Sequence, residues 1–134
     1  MNFGILGEAK IAREHVVPAI LNAGHKVTHV GRRVPGEKAL PKIYGNAIET
    51  DYDNLISDPS VDAIYNPLPN HLHVPYSIKA LKADKHVLCE KPVAMNLDEL
   101  TQLENAAKES KAFFYEAFMV RSHPQWHWLK NLDI

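Results

Sequence analysis

A single cysteine, Cys89, stands among the 134 residues. That excludes an intrachain disulfide, and a lone thiol inside an apolar run fits a reducing, cytoplasmic setting. Long apolar stretches are also missing. None approaches the roughly 20 residues needed to span a bilayer, so no membrane partner is expected. The first residues carry no basic segment followed by an apolar one, so no secretory leader is expected. Charge of one sign is lacking too. Fifteen Lys and Arg against 16 Asp and Glu give a formal net charge of −1, which offers nucleic acid no broad electrostatic hold. The histidine pairs His71 with His73 and His123 with His127 lack a neighbouring acid or thiolate at ligand spacing, so no metal site is expected. No linker, repeat or low-complexity tract divides the chain, and residues 1–134 read as one domain.

Hydrophobic residues make up 46% of the chain, enough to bury a core at this length. Short apolar runs alternate with stretches of helical periodicity. Strands are expected at Phe3–Leu6, Val27–Gly31, Ala47–Glu49 and Val61–Tyr65, in the run ending at Glu90-Lys91-Pro92, and at Ala112–Phe118. Helices are expected between them: over 11–23 with a break at Pro18, and over about two turns at 37–44, confined by Pro35 and Pro41. Further helices fall at 52–57, from Pro75 to about 83, after an Asn96 N-cap with Glu99 three places on, and over 124–132. Asn66-Pro67-Leu68-Pro69-Asn70 can be neither helix nor central strand and is expected as a shaped loop at a strand end. This alternation implies an α/β fold, a doubly wound parallel sheet of six strands. Ligands bind such sheets beyond the carboxyl ends of their strands.

The first strand runs into Gly7-Glu8-Ala9-Lys10-Ile11-Ala12. A dinucleotide turn wants small residues at three places, one for the tight turn, one for approach of the pyrophosphate and one for helix–strand packing. Here Gly7, Ala9 and Ala12 hold them, and the backbone N–H groups opening the helix favour an anion. A carboxylate at the end of the second strand would bind the ribose hydroxyls of NAD. Gly31-Arg32-Arg33 stands there instead. A guanidinium can grip a 2′-phosphate through paired hydrogen bonds, so NADP is expected rather than NAD, on Arg32 with Arg33 as the alternate. Lys91, at a strand end and followed by proline, has the placement for an ammonium beside a reacting oxygen.

Four segments occur together in order: Gly4–Ala12, Tyr65–His73, Lys85–Pro92 and Glu116–Gln125. In combination they resemble the N-terminal half of the Gfo/Idh/MocA oxidoreductases, which include glucose–fructose oxidoreductase, inositol dehydrogenase and dihydrodiol dehydrogenase. The resemblance implies a Rossmann domain that binds NAD(P). It implies Gly7, Glu8, Ala9, Lys10 and Ile11 along the pyrophosphate, and Pro67, Leu68, Asn70 and His73 along the adenosine side and the dinucleotide bridge. Glu90 would accept from the nicotinamide ribose, Lys91 would be the catalytic residue beside the reacting carbon, and Arg121 would sit near the nicotinamide end.

Members of that family carry a second α/β domain that holds the substrate, often a sugar or polyol. Residues 1–134 are expected to lack it. The chain then reads as the cofactor-binding part of an NAD(P)-dependent oxidoreductase, without turnover of its own. A free-standing NADP-binding module, or a half that pairs with another chain, is the alternative. Self-association or a partner chain is expected through the sixth strand and last helix, around Phe114, Phe118, Trp126 and Trp128.

Overall fold

Six short strands form one sheet in which every neighbouring pair is parallel. They are β1 (Asn2–Leu6), β2 (Lys26–Gly31), β3 (Ile48–Thr50), β4 (Ala63–Asn66), β5 (His86–Cys89) and β6 (Phe114–Glu116), in the spatial order β3-β2-β1-β4-β5-β6. The computed structural model describes residues 1–132; positions 133–134 of the expected domain lie outside the described residues. Register is in step across the sheet. Leu6 stands opposite Gly31, Gly31 opposite Thr50, Asn66 opposite Cys89, and Cys89 opposite Glu116. The carboxyl ends therefore form one continuous rim.

Alternation along the central strands sends neighbouring side chains to opposite faces. Leu6, Ile64, Val87 and Cys89 join a core with Leu55, Val74, Leu81 and Leu103. Those partners come from α2 (Tyr52–Ser57), α3 (His73–Lys82) and α4 (Leu97–Glu109). Ile5, Val30 and Tyr65 join a second core with Ala12, Val17 and Ile20, beneath the helix that follows β1. Pro18 divides that helix as expected, because it has no N–H for the Glu14 carbonyl. A wide π turn over Ala12–Val16 precedes α1 (Val17–Asn22). Asn96 caps α4 by accepting from the Glu99 amide at 2.9 Å, and Glu99 accepts in return from the Met95 amide. No helix among the described residues is long and apolar enough to cross a membrane.

Four expectations change. The loop expected over Asn66–Asn70 narrows to Pro67–Pro69, because Asn66 ends β4 and Asn70 opens a 3₁₀ turn, Asn70–Leu72. The helix over 37–44 is absent, and only Lys42–Tyr44 makes a 3₁₀ turn. A side chain has taken carbonyls that such a helix would use: Arg32 donates to those of Lys38 and Ala39, while Glu49 accepts from the Gly36 amide just ahead of the segment. The sixth strand contracts to Phe114–Glu116, and the last helix, α5, to Pro124–Lys130. Phe114 is half-buried on the α4-side core, whereas Phe113 stands 78% exposed.

Burial also sets an alkaline limit. Desolvation pushes the Tyr44 phenol up to about 12 from an ordinary 10.0, and the Cys89 thiol up to about 12 from 9.0. Burial, and then its bond to Glu90, raises the Tyr65 phenol as well. The unfolded chain loses these protons while the folded chain keeps them. Stability is therefore intact below pH 9 and drains as pH climbs toward 12. Melting curves in half-unit steps should be level through neutral pH and drop across that window; a level profile to pH 12 would show these groups to be accessible.

Candidate active site

Sequential order reverses between β1 and β4, which are neighbours in the sheet. An open parallel sheet leaves a crevice at such a switch point, because the connections leave it in opposite directions. Gly7 begins the turn on one side of this crevice with φ of +79°, a conformation that costs a residue with a Cβ steric strain. A Cβ there would also sit 3.3 Å from a methyl of Leu68, the loop residue on the other side. The Gly7 amide donates to Gly31 O at 2.8 Å and so ties the turn to β2. The amides of Glu8 and Ala9 have no hydrogen-bonded partner among the described residues. Unclaimed N–H groups at a strand-to-helix turn fit an anion.

A cleft of 230 Å³ opens on the β2 side, lined by Gly7, Glu8, Arg32, Arg33, Lys38 and Tyr52. Arg32 is only 7% exposed and is committed. Its Nε donates to Glu8 Oε1 at 2.7 Å, and a terminal nitrogen donates to Glu49 Oε1 at 2.8 Å. The bond to Glu8 is the main cause that raises its guanidinium pKa above the ordinary value. Glu49 is held below the usual carboxylate range first by the Gly36 amide and then by Arg32. These contacts strap the 33–41 segment to β3 and to the turn. Arg33 and Lys38 are exposed at the same cleft, with no carboxylate partner among the described residues.

A second cleft, of 330 Å³, opens on the β5 side, lined by Ile11, Leu68, Asn70, Glu90, Lys91 and Met119, with His73 behind them. His73 is buried. Its ring nitrogens lie 2.6 Å from Leu68 O and 2.8 Å from Pro92 O, so the imidazole cross-links the loop after β4 to the loop after β5. Asn66 steadies the same corner by donating to His73 O and Ser77 Oγ. Glu90 is fixed from two directions. Its amide donates to Asn66 O at 3.0 Å, and its Oε1 accepts from the Tyr65 hydroxyl at 2.7 Å. The Lys91 ammonium, exposed on the rim, has no hydrogen bond or ion pair among the described residues.

The rim thus brings together Gly7, Glu8, Ala9 and Ile11 at the turn, Leu68 and Asn70 after β4, and Glu90 and Lys91 after β5. Lys10 is exposed and pairs with Glu14 at 3.9 Å. Pro67 is half-buried in the loop after β4. Arg121 does not line the Lys91 cleft. It lies in a 3₁₀ turn, Met119–Ser122, and borders a hollow with Glu116, Glu104 and Leu103 on the α4 face. Beyond Glu90, on the α1 face, an apolar groove of 800 Å³ runs between Ile11, Val16 and Ile20 on one side and Leu88, Tyr115 and Met119 on the other. Glu49, Tyr65 and Tyr115 escaped sequence reasoning. Glu49 and Tyr65 sit in short strands where nothing local marks a polar role.

Free amides at the turn, cations at one cleft, and an anchored carboxylate with an ammonium at the other fit a dinucleotide laid across the switch point. Comparisons with known proteins agree. A family model described as "Oxidoreductase family, NAD-binding Rossmann fold" matches residues 1–118. The chain is 37% identical over 131 residues to the D-xylose 1-dehydrogenase (NADP(+)) 2 of Haloferax volcanii, covering 92% of this chain and 39% of that protein. It is 36% identical over 115 residues to a trans-1,2-dihydrobenzene-1,2-diol dehydrogenase of Danio rerio, covering 84% and 31% respectively. In structure it is similar to KijD10, a 3-ketoreductase from Actinomadura kijaniata in complex with TDP-benzene and NADP. The TM-score is 0.87 at 32% identity, over 96% of this chain and 42% of that one. The chain spans well under half the length of these relatives.

Proposed function

The chain belongs to the Gfo/Idh/MocA oxidoreductase family, and from that premise we propose that its sheet rim seats NADP for hydride exchange with a small hydroxyl or carbonyl compound such as a sugar or polyol. One observation carries the reading: the cleft holding Arg33 and the cleft holding Lys91 flank the same switch point, with the Gly7 turn between them. When bound, the nicotinamide supplies or accepts the hydride. The amides of Glu8 and Ala9 face the diphosphate. Arg33, aided by Lys38, holds the 2′-phosphate, since Arg32 could reach it only by leaving two carboxylates. Glu90 accepts from a ribose hydroxyl. The Lys91 ammonium stands at the substrate oxygen, where it stabilises negative charge and passes a proton. The NADP in the xylose dehydrogenase's name and in the KijD10 complex supports this choice of cofactor.

Purified chain mixed with NADPH and a panel of sugars, polyols and dicarbonyls tests the reading through loss of reduced-cofactor absorbance. Any turnover the chain shows should fall about a hundredfold or more in Lys91→Met, while the NADPH dissociation constant stays within about twofold. Cofactor binding without turnover would reduce the reading to a nucleotide-binding module, and absence of binding would end it.

We also place self-association, or a partner chain, at the β6 edge. Tyr115 and Phe118 stand exposed there, and Trp126 and Trp128 stand exposed on α5. Sedimentation of a clean monomer at high concentration would remove this part. A cytoplasmic location belongs to the same reading and is checked by cell fractionation.

A further inference from the structure

Tyr65 lies in the middle of the sheet, on β4, and its side chain is wholly buried in the α1-side core beside Ile5, Val17 and Ile20. A phenol in so dry a place needs a partner, since an unpaired hydroxyl costs about as much as a lost hydrogen bond. Its partner is a carboxylate on the rim. The hydroxyl donates to Glu90 Oε1 at 2.7 Å, a charge-assisted bond. Register makes the contact possible. Tyr65 stands opposite Leu88 on β5, and Glu90, two residues beyond Leu88, falls on the same face of the sheet. Glu90 Oε2 has no protein partner among the described residues, and the residue borders both the Lys91 cleft and the apolar groove.

The geometry points to Tyr65 as a positioning residue: from inside the core it holds the Glu90 carboxylate in the one rotamer that offers its free oxygen to the nicotinamide half of the dinucleotide. This rests on the NADP reading above. Rotating Glu90 away would strand the phenol in the core, so the penalty for an orphaned hydroxyl stiffens an acceptor that would otherwise swing in solvent. The orientation of a rim carboxylate is thus set by a residue that never touches the cofactor.

The test is a double-mutant cycle on the full chain, with calorimetric titration by NADPH and by 2′,5′-ADP, which carries the phosphorylated adenosine half alone. Tyr65→Phe should weaken NADPH about tenfold, the worth of one hydrogen bond to a charged group, and leave 2′,5′-ADP within about twofold. In a Glu90→Ala background the added Tyr65→Phe should change NADPH affinity less than about twofold. Melting curves give a readout that needs no cofactor. Glu90→Ala alone should melt lower than the double variant, because it alone leaves the phenol orphaned, and this comparison stands even if Tyr65→Phe by itself folds poorly. Equal losses on both ligands, an unaffected NADPH constant, or a double variant no more stable than Glu90→Ala would each overturn the assignment. Failure of the unaltered chain to bind either ligand would instead overturn the NADP reading, and this inference with it.

Discussion

Replacing Arg32 by leucine should lower the melting temperature by about 10 °C and weaken both NADPH and NADH, NADPH the more. The guanidinium is the only positive charge between Glu8 and Glu49 among the ion pairs of the described residues. Removing one member of a buried ionic group strands the others, which costs more than the group contributes as a whole. About 2–3 kcal/mol is expected, below the usual figure for a fully buried pair because both carboxylates keep some access to water. At this chain size that is roughly 10 °C in melting temperature. Loss of the bonds to the Lys38 and Ala39 carbonyls also frees the segment that walls the Arg33 cleft. An unpaired Glu8 carboxylate would then repel a phosphate placed beside it. Adding Glu8→Gln to the leucine variant should recover part of the NADPH affinity and part of the stability. A leucine variant that melts normally would mean that the strap holds nothing in place.

The same arginine shows where sequence reasoning stops. Strand periodicity, the Gly7-x-Ala9 turn and the proline-bounded loop after β4 are local signals, and each has its expected element in the fold. Pro18 acts on its own helix, so its break was legible too. Arg32 differs because its surroundings come from afar: Glu8 lies 24 positions earlier on the β1 turn, and Glu49 lies 17 positions later on β3. An Arg-Arg pair at a strand end announces a phosphate site. Which of the two is left free to face one depends on carboxylates brought in by the sheet. The Arg32 side chain also unmade the helix expected over 37–44, since it took two carbonyls that helix would have used. Tyr65 reads as one more apolar strand residue until register sets its hydroxyl under Glu90.

If Arg33 is the residue that reads the 2′-phosphate, Arg33→Ala should separate the two coenzymes without touching the fold. Hydrogen bonds from a guanidinium to a phosphate are among the stronger ones available, about 1.5–3 kcal/mol each before screening. Arg33 is exposed, so solvent and salt will trim that figure. A thirtyfold to hundredfold weakening of NADPH, roughly 2–3 kcal/mol, is the expected size. NADH, which carries no charge at that place, should bind within about twofold of the unaltered protein, and the melting temperature should not move. Salt offers a second check. The NADPH advantage of the unaltered protein should shrink as ionic strength rises, and the alanine variant should show little of that dependence. Equal losses on both coenzymes would assign Arg33 to the general architecture of the cleft. No loss on either would return the phosphate to Arg32, and would require Glu8 and Glu49 to release it when the coenzyme arrives.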